Sequence, residues 1–403
     1  MTLDILCKVV DNFGDIGVAF RLSRALSSLA EAPSIRLIVD RLDAFAALEP
    51  AINPSLAIQK LHGWTVLSWW PPKDFLADYE TLYCNDPPRI IIECFACGRP
   101  DWLEDMLFSS GDPRIKTIIN LEYLSAEDYA EEFHKMPSLT RSRAVKKHLF
   151  MPGFTPGTGG FILDEPFMSL RAEYNDASAS AVDTRLSRRI SLLKTLVNPG
   201  QTESMNLEEF AGRYWIPVFA YERNYERIVA DMAAFSQERP VLALVAAGKS
   251  ESCFMSAWER CGQTFPAIRL PFLRQETWDE VLLASDFLIV RGEDSLSRAA
   301  LSGRPFLWHA YPQEAAHQLV KVRALLSRLK PYIDENAFLS IEAAFIAFND
   351  RLVDGVDVSS NERILPLLEA SACLAPRFAA FSDGLIENGN LASGLMTFID
   401  SIV

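Results

Sequence analysis

Apolar residues along the chain fall in short, nearly unbroken runs, and between the runs they recur at helical spacing. The first run, residues 3–10, breaks into Asp11-Asn12-Phe13-Gly14-Asp15-Ile16-Gly17, after which Val18, Leu22, Ala25, Leu26 and Leu29 mark one helix face. This is a strand, a tight turn and a helix. Runs at 35–39, 65–67, 89–94 and 115–119 continue the alternation to about residue 185. Apolar strands without period-two alternation predict a parallel sheet covered by helices on both faces. A Gly- and Pro-rich passage at 151–160 predicts a long surface loop, and the polar, Ser-rich residues 171–201 predict an inter-domain connection. Strands at 216–220, 240–245, 267–270, 286–290 and 305–308 then repeat the pattern, with helices at 222–235 and 296–301 and a mostly helical tail from 314. The prediction is an α/β chain of two Rossmann-like, doubly wound domains facing a central cleft. Their expected bounds are 1–185 and 186–375, with 376–403 as a helical tail packing back on the first domain.

Composition narrows the class. A chain of 403 residues exceeds what one core usually serves. Its 49% hydrophobic and 23% charged content is that of ordinary globular proteins. A net charge of -14 disfavours a nucleic-acid-binding surface, which needs clustered Lys and Arg. Seven scattered Cys read as reduced thiols, no apolar run approaches the roughly 20 residues of a membrane span, and the N-terminus lacks a basic leader. A cytoplasmic protein with no membrane or nucleic-acid partner is expected.

Two stretches carry candidate chemistry. In the first turn, Asp11 and Asp15 bring carboxylates to the end of a strand where open sheets bind ligands, and Gly14 and Gly17 permit close approach. Each aspartate also has a purely structural reading, Asp15 as a helix cap and Asp11 as a turn former. Neither G-x-G-x-x-G nor a phosphate-loop Lys is present. In Arg291-Gly292-Glu293-Asp294-Ser295, a strand ends at an Arg beside a new helix, a combination suited to a leaving diphosphate. Its structural reading is a capped helix with an ion pair from Arg291 to Glu293 or Asp294. Cys94 and Cys97 stand alone as a C-x-x-C and read as packing thiols. The five His show no metal-site spacing, so no metal is expected, and no nucleophile elbow occurs. Trp69-Trp70-Pro71-Pro72 reads as an interaction turn or a core plug. Group transfer from an activated, negatively charged donor is the chemistry left.

Several segments together resemble one family. They are residues 7–17 with Arg21-Leu22-Ser23-Arg24, Glu93-Cys94-Phe95-Ala96-Cys97, Asn120-Leu121-Glu122-Tyr123-Leu124-Ser125, Met151-Pro152-Gly153-Phe154, Pro271-Phe272, the Arg291 motif, and Trp308-His309-Ala310-Tyr311-Pro312-Gln313-Glu314. In that order they look like the bacterial protein-arginine rhamnosyltransferases of the EarP family. The resemblance implies a GT-B-type glycosyltransferase fold, with the first domain on the acceptor side and the second on the nucleotide-sugar side. It implies inverting transfer of L-rhamnose from dTDP-β-L-rhamnose to an arginine of translation elongation factor P, by a monomer without cofactor or metal. Carried over, Asp11, Asp15 and Glu293 are catalytic. Asn12, Phe13, Gly14, Asp15, Tyr221, Gln275, Arg291, Gly292, Glu293, Asp294 and Ser295 bind substrate. Arg274 precedes Gln275 where the family has Pro-Gln, and Leu296 stands where Phe is usual. Two other readings are a nucleotide-sugar transferase or epimerase with a small acceptor, and a non-catalytic module that binds a translation factor.

Overall fold

The structure is a computed structural model describing residues 1–10, 13–108, 114–176, 179–198, 205–248, 250–313, 316–350, 352–353, 356–357 and 363–403. It divides into two compact units, Met1–Glu165 with Ile386–Val403, and Pro166–Leu385.

The first unit is built on an eight-stranded sheet, β1 Thr2–Cys7, β2 Ser34–Val39, β3 Ile58–Leu61, β4 Trp64–Ser68, β5 Ile90–Cys94, β6 Lys116–Leu121, β7 Pro137–Ser138 and β8 Val145–Phe150. Its order is β3-β4-β2-β1-β5-β6-β8-β7, parallel except for β3 and β7, which run antiparallel at the two edges. The chain moves outward from β1 in one direction to β2 and in the other to β5. The topological switch point therefore lies at the carboxyl ends of β1 and β5, where open α/β sheets gather ligands. β1 stops at Cys7 and the first helix, Gly14–Ser27, starts within the acidic turn rather than at Val18. That helix buries Ile16, Ala19, Phe20 and Leu26 in a core completed by Leu391, Leu395, Phe398 and Ile399 of the last helix, Leu391–Ile402. Each such aliphatic side chain contributes about 1.5–3 kcal/mol on burial.

Two expectations change. The passage at 151–160 is no exposed loop, because Met151, Pro152, Gly153 and Phe154 are buried. A Cβ on Gly160 would lie 2.7 Å from the Gly389 carbonyl, so the passage needs glycine where it meets the turn into the last helix. The Trp pair is split, Trp69 being a core plug at 3% exposure and Trp70 lying 63% exposed.

The second unit has an all-parallel sheet of β9 Tyr214–Val218, β10 Val241–Val245, β11 Ala267–Arg269, β12 Leu288–Arg291 and β13 Phe306–His309, in the order β11-β10-β9-β12-β13. Its switch point falls between β9 and β12. The unit begins at Pro166 where a boundary at 185 was expected. The helix Ala179–Leu196 is tied into it by Arg189, whose guanidinium donates to the Ala284 carbonyl and pairs with Asp286 at 2.7 Å. At the other end, residues to Leu385 belong to this unit, against an expected 375. Among the described residues no helix is long and apolar enough to cross a membrane.

Candidate functional site

The two switch points carry the two sequence motifs. In the first unit, Asp15 is 2% exposed in the opening turn of its helix. It is not the helix cap, a position held by Phe13, whose side chain makes no capping bond. The Asp15 carboxylate is instead held from both sides. The Val10 amide donates to Oδ2 at 2.7 Å and the Tyr123 hydroxyl donates to Oδ1 at 2.8 Å. These two hydrogen bonds fix the carboxylate's position. Phe13 is half-buried against the core, and Gly14 is exposed, its missing Cβ leaving open space within 4 Å. Asp11 and Asn12 lie outside the described residues.

Tyr123 follows β6 and comes to Asp15 by way of Phe95. The two rings stack with centroids 4.0 Å apart and planes within 9°. Phe95 follows β5 with φ of 60°, and Ala96 continues at 52°. Two successive non-glycine residues in the left-handed region cost about 1–2 kcal/mol each. The Phe95 amide donates to the Leu121 carbonyl at 2.6 Å and the Ala96 amide to Asn120 Oδ1 at 2.8 Å, which holds the turn in place. Beside it, buried Glu93 pairs with Arg99 and with Lys147 at 2.8 Å. Cys94 and Cys97 are unlinked thiols, and burial pushes Cys97 up to about 12. Both thus stay protonated as packing groups.

In the second unit, Arg291 ends β12 at 8% exposure, and its guanidinium sits 4.6 Å from the Phe219 ring and 4.7 Å from the Tyr221 ring. Its Nε lacks a hydrogen-bond partner, and no carboxylate among the described residues pairs with it, which sets aside the ion pair with Glu293 or Asp294. A buried cation without an anion is costly, and two aromatic faces offset part of that, about 2 kcal/mol each when desolvated. A bound anion would offset that cost, which makes the position a candidate anion site. The helix Gly292–Ser302 starts at the same point without a side-chain cap, and its first-turn amides add positive partial charge.

The other predicted residues belong to the same unit. Gly292 has φ of 67°, a conformation that disfavours any side chain, and its carbonyl accepts from Trp308 Nε1 at 3.1 Å. Ser295 is buried and its Oγ lies 3.4 Å from Trp278 Nε1. Glu293 faces Lys321 at 3.5 Å, and Asp294 is half-buried in the first helical turn. Gln275 is the buried first residue of the helix Gln275–Ala284. Tyr221 is 4% exposed, edge-on to His309 and Tyr311, and its amide donates to His309 Nδ1 at 3.2 Å. No group of His, Cys, Asp and Glu suited to a metal occurs among the described residues.

Sequence reading omitted Phe219 and Phe95 from the site. For Phe219 a signal existed, since Phe219 and Tyr221 are two apart in extended chain and so share one side. For Phe95 none did, because a φ of 60° is not written in a Phe.

Comparison with known proteins places the chain in a family. The family model described as elongation factor P (EF-P) rhamnosyltransferase EarP matches residues 3–400. A protein-arginine rhamnosyltransferase of Pseudomonas aeruginosa is 33% identical over 80% of both chains, and one of Shewanella oneidensis is 31% identical over 80% of this chain and 79% of its own. The structure behind EarP-mediated arginine glycosylation of elongation factor EF-P superimposes with a TM-score of 0.58 at 22% identity, covering 100% of this chain and 99% of that one. A UDP-GlcNAc 2-epimerase from Neisseria meningitidis bound to UDP-GlcNAc superimposes at 0.52 with 7% identity and full coverage of both, a likeness of fold alone. The chain belongs to the EarP family of protein-arginine rhamnosyltransferases.

Proposed function

We propose that this enzyme transfers L-rhamnose from dTDP-β-L-rhamnose, with inversion, to an arginine side chain of translation elongation factor P. The observation that carries the reading is the opposite charge at equivalent positions, a fixed carboxylate at one switch point and an uncompensated cation at the other. A guanidinium, with a pKa above about 12 and a delocalised lone pair, attacks poorly until a carboxylate localises its charge. Asp15, with Asp11 beside it in sequence, supplies that carboxylate. As the guanidine nitrogen bonds to the anomeric carbon, the sugar–oxygen bond breaks and its electron pair leaves on dTDP. The nitrogen's proton passes to Asp15 in the same step, since an ordinary carboxylate is too weak a base to remove it beforehand.

On the donor side, Arg291, the amides of the helix at Gly292 and the Ser295 hydroxyl receive the diphosphate, so the charge that builds on the leaving group meets donors already in place. Tyr221 and Gln275 border that site, and Glu293 with Asp294 orients the sugar. Asn12, Phe13 and Gly14 complete the substrate-binding set. Positive charge from Arg291 and the helix lets the reaction proceed without a metal or other cofactor, and the reading makes the enzyme a cytoplasmic monomer. Intact-mass spectrometry of elongation factor P after incubation with the enzyme and dTDP-rhamnose tests it. A gain of one deoxyhexose is expected with this donor, and no gain, or an equal gain from unrelated nucleotide sugars, would refute it.

A further inference from the structure

Tyr123 holds one more piece of chemistry than a hydrogen bond to Asp15. One face of its ring is covered by Phe95 in parallel at 4.0 Å, yet the residue remains 37% exposed. A buried carboxylate and an exposed aromatic ring are thus joined through a single 2.8 Å bond. The two surfaces suit the two features of one chemical group. A guanidinium is a planar cation whose face is attracted to an aromatic ring, and its N–H edge is matched to a carboxylate. An ammonium is strongly hydrated and has no flat face to offer. We infer that Tyr123, backed by Phe95, is the platform on which the acceptor guanidinium stacks while its edge meets Asp15, and that this platform selects arginine over lysine.

The platform is rigid by construction. Phe95 reaches Tyr123 only because Phe95 and Ala96 occupy the left-handed region, at φ of 60° and 52°. Asn120 secures that turn by accepting from the Ala96 amide at 2.8 Å and donating to Glu122 Oε1 at 2.5 Å. Strain of this kind persists only where surrounding contacts enforce it, and it concentrates at functional sites. A ring stacked beneath Tyr123 prevents it from tilting, so the stacking face and the hydroxyl are aligned before an acceptor arrives. Pre-alignment of this sort lowers the ordering cost of binding a flexible arginine side chain.

The subsite rests on the transfer to arginine proposed above, and steady-state kinetics with elongation factor P separate the two. In Tyr123→Leu, acceptor KM rises about tenfold, the scale of a lost cation–π contact, while donor KM stays at the wild-type value. In Tyr123→Phe the ring persists and the bond to Asp15 is lost, so acceptor KM stays near wild type and kcat falls severalfold. Phe95→Leu raises acceptor KM with donor KM unchanged, which a general loss of fold would not do. Equal acceptor KM in Tyr123→Leu and wild type, or equal impairment by Phe and Leu, would overturn the platform while leaving the enzyme reading intact. Absence of any transfer by the wild-type enzyme would instead remove the acceptor assignment, and the subsite with it.

Discussion

The two units solve the same topological problem with opposite chemistry. Each places its candidate groups where the strand order reverses, at β1 and β5 in the first and at β9 and β12 in the second. In the first, the charged group is Asp15, whose two oxygens are satisfied by Val10 and Tyr123. In the second it is Arg291, which has aromatic faces but no anion among the described residues. A compensated charge is a fixed reagent, ready to act on whatever reaches it. An uncompensated one is a vacancy in the electrostatics, stabilised when its ligand binds. The contrast assigns the first edge to chemistry and the second to binding, although both are βα turns of the same kind.

Mutations sharpen that division in order of expected size. Asp15→Asn keeps the hydrogen-bonding shape but cannot take a proton, so kcat falls by about a thousandfold while dTDP affinity is unchanged. Activity near wild type in that variant would break the division. Arg291→Met removes the cation and weakens dTDP binding by about 10–100-fold, the loss of charge-assisted bonds. The same change relieves an uncompensated buried charge, so in the unliganded protein the melting temperature rises, by about 2–4 °C per kcal/mol relieved in a unit of this size. Loss of stability together with loss of binding would show Arg291 to be a structural residue. Gly292→Ala forces a side chain to φ of 67° and costs about 1 kcal/mol in denaturant unfolding. The nearest neighbour of its new Cβ is Tyr221 Oη at 3.9 Å, an ordinary contact, so the penalty is one of backbone strain. Smallest is Ala96→Gly, which relieves a φ of 52° at an exposed position and raises stability by about 1 kcal/mol with transfer unchanged.

How far the sequence reveals this depends on the kind of information each feature needs. The parallel sheets were legible because β10 is an unbroken apolar run and β1, β5, β6 and β12 hold apolar cores at 5–7, 90–92, 118–119 and 288–290. β8 was not, because Lys146, Lys147 and His148 interrupt it, and the Glu93 ion pair that accommodates Lys147 is a tertiary fact. The strand end at Arg291 and the helix that starts at the glycine after it were legible. The lack of a carboxylate partner for Arg291 was not, since Glu293 and Asp294 are close in sequence and only the fold turns Glu293 to Lys321 instead. Asp15 read equally well as a helix cap, and its bond to Tyr123 spans 108 positions, a separation no local pattern encodes. The passage at 151–160 misled for a related reason, since Gly and Pro mark irregular backbone but do not tell whether it is exposed or packed against a distant turn.

The most direct test of the division is the dissociation constant of dTDP measured by calorimetry for the wild-type enzyme, Arg291→Met and Asp15→Asn. The account predicts wild-type affinity in Asp15→Asn and a loss of about 10–100-fold in Arg291→Met. Equal losses in the two variants, or unchanged affinity in Arg291→Met, would contradict it.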